Sequence, residues 1–239
     1  MHEPGLGITE ESSLTQRLRR VFYAPRDAFE PVAVDGGSWT DWLLPMTLLA
    51  LIWSVSNWAT LSIVADPELP RIQQELTQLD DETRATALQS LQMWREYGWF
   101  TTPFVNAFSE LAAVGLILTG VIRFGLRAEV SLRQMLTVKS YAGVIAGLQW
   151  IVMVPLIRAN ASPDIALGLG ALVPAGMEGT FFGHFLTSLN LFGLWQAWVI
   201  GIGVSVMTRV PQRRAVLTVV SLWLAWIAMG AMTHPVDPV

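Results

Sequence analysis

Cysteine is absent from the 239 residues, which excludes disulfides, thiolate catalysis and every Cys-based metal site. Charge is scarce: 14% of residues are charged, against about 25% in an ordinary soluble domain. Histidine is nearly absent too. The three are His2, His184 and His234; no two could share a helix, so a metal ligand set at helical spacing is excluded. No Gly-x-Ser-Gly nucleophile loop occurs, and no Gly-rich phosphate loop ends in Lys. Dense basic clusters joined to aromatics, the footprint of nucleic-acid binding, are also missing. His184 and Ser188 stand one turn apart, but nothing beside them resembles an oxyanion site. The expectation is a protein that is not an enzyme, takes no cofactor and binds no nucleic acid.

What the chain does have is apolar length. Hydrophobic residues make up 52%, with 11 Trp and 19 Gly; Trp concentrates at the lipid headgroup level, and Gly lets membrane helices approach closely. A span needs about 20 apolar residues to cross about 30 Å of hydrocarbon. Five segments qualify, at about 42–64, 104–122, 140–157, 185–207 and 215–232. The fold expected is an all-α integral membrane protein, a bundle of five transmembrane helices over 42–232. No apolar stretch precedes residue 42, so the first span should serve as its own insertion signal.

Lys and Arg set the orientation, because cytoplasmic loops carry the excess. Arg17, Arg19, Arg20 and Arg26 precede span one. Arg123, Arg127, Arg133 and Lys139 lie between spans two and three, and Arg209, Arg213 and Arg214 between four and five: eleven on one side. The other side holds four, Arg71, Arg84, Arg95 and Arg158. Strict alternation therefore predicts a cytoplasmic N-terminus and an external C-terminal tail (233–239).

The cytoplasmic segment 1–41 contains an amphipathic stretch, Ser13 to Ala24, with Leu14, Leu18, Val21 and Phe22 at helical spacing and a capping box in Ser13 and Gln16. Pro25 ends this helix or starts a second, which Asp35-Gly36-Gly37 breaks. Arg17, Arg19 and Arg20 form a basic face, either lying on anionic lipid or belonging to a cap on the span ends. Between spans one and two, the acidic insertion 66–102 reads as an external helical hairpin broken near Asp80-Asp81, its charges a solvated face. Residues 163–178, with the apolar run Ile165 to Val173, are too short to span and read as re-entrant or interfacial.

Polar residues inside spans are the candidates for function. Glu110 is foremost, since a charged carboxylate near mid-membrane costs about 2.5 to 3.5 kcal/mol on insertion scales. It is expected in the outer half of span two, with Asn106 one turn further out. Asn57, Gln149, His184 and Asn190 complete a candidate outward-facing polar pocket; interhelical hydrogen bonding that fixes the bundle is the plainer account. Gly193, Ala197, Gly201 and Ser205 recur every four residues and form a ridge for close helix packing, joined by Gly143 and Gly147. Packing within one molecule is expected, with packing between copies as the alternative.

Three motifs carry a resemblance. Phe22-Tyr23-Ala24-Pro25 is followed by Phe29. Ser131-Leu132-Arg133-Gln134-Met135-Leu136 continues to Tyr141-Ala142. Asn190-Leu191-Phe192-Gly193-Leu194-Trp195 is followed by Gly201, Gly203 and Arg213-Arg214-Ala215. In these the chain resembles the bacterial branch of the Yip1-domain family of membrane proteins. The resemblance implies five spans and a cytoplasmic N-terminus, and its bacterial branch implies an inner, cell-membrane location. Where the family often has Asp ahead of the Phe and Trp, this chain has Asn190, which weakens an ion-binding role there. Eukaryotic relatives are associated with vesicle trafficking and Rab-class GTPases, but their Asp-Leu-Tyr-Gly-Pro type of motif is missing, so GTPase binding is not carried over. Two functions are consistent with this reading. One is a membrane scaffold or adaptor that organises lipid, a second copy or another membrane protein. The other is a small transporter or channel for a cation, proton or small solute, built on Glu110. Five spans with no internal repeat and no clearly broken helix favour the scaffold.

Overall fold

The structure, a computed structural model, describes residues 13–233 apart from 164, 166, 175 and 178. Every regular element among these is helical. Five helices are long and apolar enough to cross a membrane.

Local signals account for most helix starts. The Ser13 hydroxyl accepts from the Gln16 N–H and the Gln16 side chain accepts from the Ser13 N–H, opening α1 (Leu14–Arg20) with a reciprocal capping box. Pro25 sits at the first position of α2 (Pro25–Asp35), and Gly36, with φ 75°, supplies the left-handed cap that ends it. A second capping box, Ser38 with Asp41, starts α3 (Trp39–Val64). At the far end of α3, Arg71 of α4 (Pro70–Thr77) donates to the Ile63 and Val64 carbonyls at 2.6 and 3.0 Å. Asp80 caps α5 (Asp81–Met93); the Thr83 N–H and hydroxyl donate to it, and hold its carboxyl below the usual carboxylate range.

The insertion between spans one and two differs from an independent hairpin. Its two helices exist and break at Asp80, but the second does not stop. α5 continues through a π turn at Trp94–Gly98 into α6 (Trp99–Gly120), and a further π turn, Val121–Gly125, ends it. Helix therefore runs unbroken from Asp81 to Gly125, 45 residues. Gly98 makes the first π turn possible, since a Cβ there would lie 2.6 Å from the Trp94 indole. Polarity changes along this helix while the helix itself continues, and so 81–102 looked separate from the span it belongs to.

A capping box of Ser131 and Gln134 opens α7 (Leu132–Asn160), eight residues before the apolar stretch itself begins. Span four is in two pieces, α8 (Phe181–Ser188) and α9 (Leu191–Thr208), and a tight turn at 209–211 leads to α10 (Gln212–Thr233). The division falls at Leu189 and Asn190. Asn190 is extended and its side-chain oxygen accepts from the Gly193 N–H at 2.7 Å, an N-cap in the midst of apolar sequence. The freed Leu189 carbonyl accepts from the Leu169 N–H at 3.0 Å. The described part of 163–178 thus folds back onto the α8–α9 junction, with a 3₁₀ turn at Leu169–Leu172 against α8. This overturns both the single span 185–207 and the view that no helix is broken.

The spans pack in the order α6, α3, α7, α9, α10, with α6 also resting on α7. Small residues set the closest approaches. A Cβ at Gly201 would fall 2.5 Å from the Val216 backbone, and one at Gly203 2.7 Å from Val138. Gly193 lies against Trp223, so much of the ridge on α9 packs within the chain, onto α10; Ser205 donates to the Val210 carbonyl in the turn between them at 2.8 Å.

α1 and α2 do not lie flat on a lipid surface. Val21, Ala28, Phe29 and Val32 are buried in the main core with Met135, Val138, Tyr141, Val199 and Val204. Phe29 stacks on Tyr141 and Phe22 packs edge-on to Trp195. Of the two readings of this amphipathic pattern, a lipid-facing helix or a cap on the span ends, the packing is that of the cap. Of the basic face, Arg17 is turned inward to Asp41 at 2.9 Å, and only Arg19 is fully exposed.

Candidate functional site

Because α6 and α10 stand on opposite flanks and form no packed interface, a cleft is left between them, floored by α7 and α9.

 The cleft of ≈ 710 Å³ is walled by apolar side chains, among them Ile117, Leu118, Leu222, Trp223 and Trp226. Its floor is polar. Lys139 of α7 reaches the Glu110 carboxylate of α6 at 2.7 Å and donates to the Gln196 side-chain oxygen of α9 at 3.1 Å. Gln196 in turn donates to the Ala142 carbonyl at 3.3 Å, which fixes its amide with the oxygen toward Lys139.

The two charges are unequally sheltered. The Lys139 side chain is 5% exposed and that of Glu110 54%, so the ammonium is enclosed by protein while the carboxylate faces the cleft. Glu110 lies at the middle of α6. Lys139 is no loop cation. α7 starts early enough to bury it in the third turn.

Of the residues expected to share a pocket, only Asn106 joins Glu110 in lining this cleft. Gln149 is ten residues beyond Lys139 on α7, about 15 Å along the axis. Asn57 sits in the last two turns of α3. His184 is on α8, where its carbonyl accepts from the Ser188 hydroxyl at 2.9 Å, an ordinary helical back-bond. Asn190 is spent as a cap. Similar depth along a helix says nothing about which face a side chain occupies, and the outward-facing pocket of six residues is not formed.

Lys139 and Gln196 are the members that sequence reading missed. Gln196 had a signal, an amide inside an apolar span, equal to that of Gln149. Lys139 was hidden by its neighbours, which made it look like the last charge of a basic loop.

A second buried polar cluster ties α1 to the bundle. Asp41, 5% exposed, accepts from the Ser38 N–H at 2.7 Å, the Ser38 hydroxyl at 2.9 Å and the Tyr141 hydroxyl at 3.3 Å, and pairs with Arg17 at 2.9 Å. It is a structural clasp rather than a site, since both carboxylate oxygens are engaged. Among the described residues no group of three or more His, Asp or Glu side chains converges in a way that could hold a metal ion. No protein-family model matches the chain, and no curated protein or solved structure matches it.

Proposed function

We propose that this is a non-enzymatic, Yip1-like membrane scaffold or adaptor of the inner cell membrane, which uses the α6–α10 cleft to hold a membrane-resident partner or lipid. The observation that carries the reading is the cleft itself, open sideways between two spans with a charged, hydrogen-bonded floor at mid-helix. A recognition surface in the plane of a membrane needs such a lateral opening, whereas a carrier needs a route across.

The transporter reading has an observation of its own: an intramembrane ion pair together with a helix broken at Leu189 and Asn190. Flux separates the two. In proteoliposomes under an imposed proton or cation gradient, the scaffold reading expects no protein-dependent flux from the wild-type chain or from Glu110→Gln. Flux that is present in the wild type and lost in the variant would establish the transporter.

The N-in, C-out orientation is part of the proposal. Arg26, the 126–131 loop and the 209–211 turn share the α1–α2 end. Removing Lys139 from the count leaves ten Arg there against four at the opposite end, so the positive-inside bias persists. The absence of native cysteine makes the test direct. In intact cells, an impermeant maleimide should label Gln78→Cys, and should label Glu129→Cys only after the membrane is opened; the reverse pattern would invert the topology.

A further inference from the structure

Hydrocarbon offers no hydrogen bond, so the lipid-facing residues of a span are apolar and its polar ones turn to a bundle interior or to water. The exposed residues of α6 between Val105 and Ile117 are sorted by that rule. Val105, Ala112 and Leu116 lie outside the cleft and are apolar, whereas Asn106, Ser109, Glu110, Ala113 and Ile117 line it and include every polar side chain. The polar groups are not used up within the chain. Glu110 meets Lys139 through Oε1; its Oε2 has no partner among the described residues, and its side chain is half exposed. Asn106 accepts the Ser109 hydroxyl on its backbone carbonyl at 3.1 Å, and its side-chain amide has no partner among the described residues.

What covers this face must bring hydrogen-bonding groups to the depth of Glu110, halfway along α6. Lipid polar groups ride at the edge of a hydrocarbon layer about 30 Å thick, and acyl chains have nothing to donate. A transmembrane helix reaches that depth, because its backbone is satisfied internally and its side chains can carry a donor inward. The cleft also has the shape for one. α6 stands on α7 and α10 on α9 without α6 and α10 packing on each other, which leaves a lateral opening about one helix wide. The α6 wall from Asn106 to Leu118 is about 18 Å long, more than three turns. Ser109 and Ala113 stand four apart on it, small and exposed, so a second backbone can approach closely. A second copy suits the cleft poorly: meeting through α6 would set two Glu110 carboxylates against each other, and the outward face of α3, Leu44, Leu48, Leu51 and Val55, brings no donor.

We propose that the α6–α10 cleft seats one transmembrane helix of a different membrane protein, with small residues against Ser109 and Ala113 and an uncharged hydrogen-bond donor such as Asn, Ser or Thr at the depth of Glu110. This rests on the cleft being the recognition element of a scaffold, and names what it recognises.

The test uses the full chain in phosphatidylcholine vesicles. The probe is a Leu-rich, Trp-free single-span peptide of about 20 residues with a Gly-x-x-x-Gly pair and one central Asn, dansylated beside the Asn; its all-Leu counterpart carries the same dye. Energy transfer from the cleft tryptophans, Trp223 and Trp226, should saturate with the Asn peptide and require at least about tenfold more of the all-Leu peptide. Ser109→Leu with Ala113→Leu fills the α6 wall at exposed positions and should weaken the Asn peptide by a similar factor. Ala112→Leu, on the lipid side of the same helix, should bind it as the wild type does. Equal transfer to both peptides, or transfer indifferent to the leucine pair in a protein that melts normally, overturns the proposal. So does an Ala112→Leu effect as large as that of the leucine pair. Transfer to dye-labelled second copies of the chain that the leucine pair abolishes also overturns it, in favour of self-association. Any of these results without gradient-driven flux leaves the scaffold reading standing, whereas flux lost in Glu110→Gln removes that reading itself.

Discussion

Replacing Glu110 with Leu should destabilise the protein by about 3 kcal/mol, the low end of the range for breaking a buried ion pair by removing one partner. The substitution strands Lys139, whose side chain is 5% exposed and retains only the Gln196 oxygen. Lys139→Leu should cost less, because the carboxylate it leaves behind is 54% exposed and is not walled in by protein as the ammonium is. The double variant should recover most of the loss, since two leucines replace two charges that both had to be desolvated. Thermal unfolding of the four proteins in one detergent checks the order. Equal effects of the two single variants would mean that the ammonium is not enclosed as described.

The second large effect is expected at Asp41. Asp41→Ala removes the acceptor for Ser38, Tyr141 and Arg17 together and leaves the Arg17 guanidinium, 18% exposed, without its counterion. The cost should reach about 3 to 5 kcal/mol, and α1 should come away from the bundle. Arg17→Met should cost only about 1.5 to 3 kcal/mol, the worth of a hydrogen bond to a charged group, because Asp41 keeps its two Ser38 bonds and Tyr141. Limited trypsin digestion reads the difference, with rapid cleavage after Arg19 and Arg20 in Asp41→Ala and slow cleavage in Arg17→Met. Slow cleavage in both would show that apolar burial of Val21 and Phe29 suffices to hold α1 and α2.

Hydropathy made the number of spans legible, because about 20 apolar residues in a row have few other uses. It located their ends poorly wherever a helix outlasts its apolar stretch: α5 with α6 at one end and α7 at its start. Both misplacements had consequences, since the first detached an arm from its span and the second turned a buried Lys139 into a loop charge. The capping box at Ser131 was visible in the sequence and marked where α7 starts. Asn190 shows the converse, a local cap overriding an apolar run. Partners across the bundle are a different matter. Leu14, Leu18, Val21 and Phe22 make the same stripe whether they face lipid or protein, and the choice is made by Tyr141 and Trp195, more than a hundred residues away.

The unbroken helix from Asp81 to Gly125 gives the molecule a mechanical property. It extends about 67 Å at 1.5 Å per residue, more than twice the roughly 30 Å hydrocarbon thickness, so a helical boom projects from the membrane end opposite α1 and is continuous with one jaw of the cleft. The π turn at Trp94–Gly98 is its knuckle, and the Arg95 to Asp66 contact at 3.5 Å is the stay that braces it against the end of α3. Whatever meets α5 beyond the hydrocarbon layer therefore meets the same helix that carries Glu110.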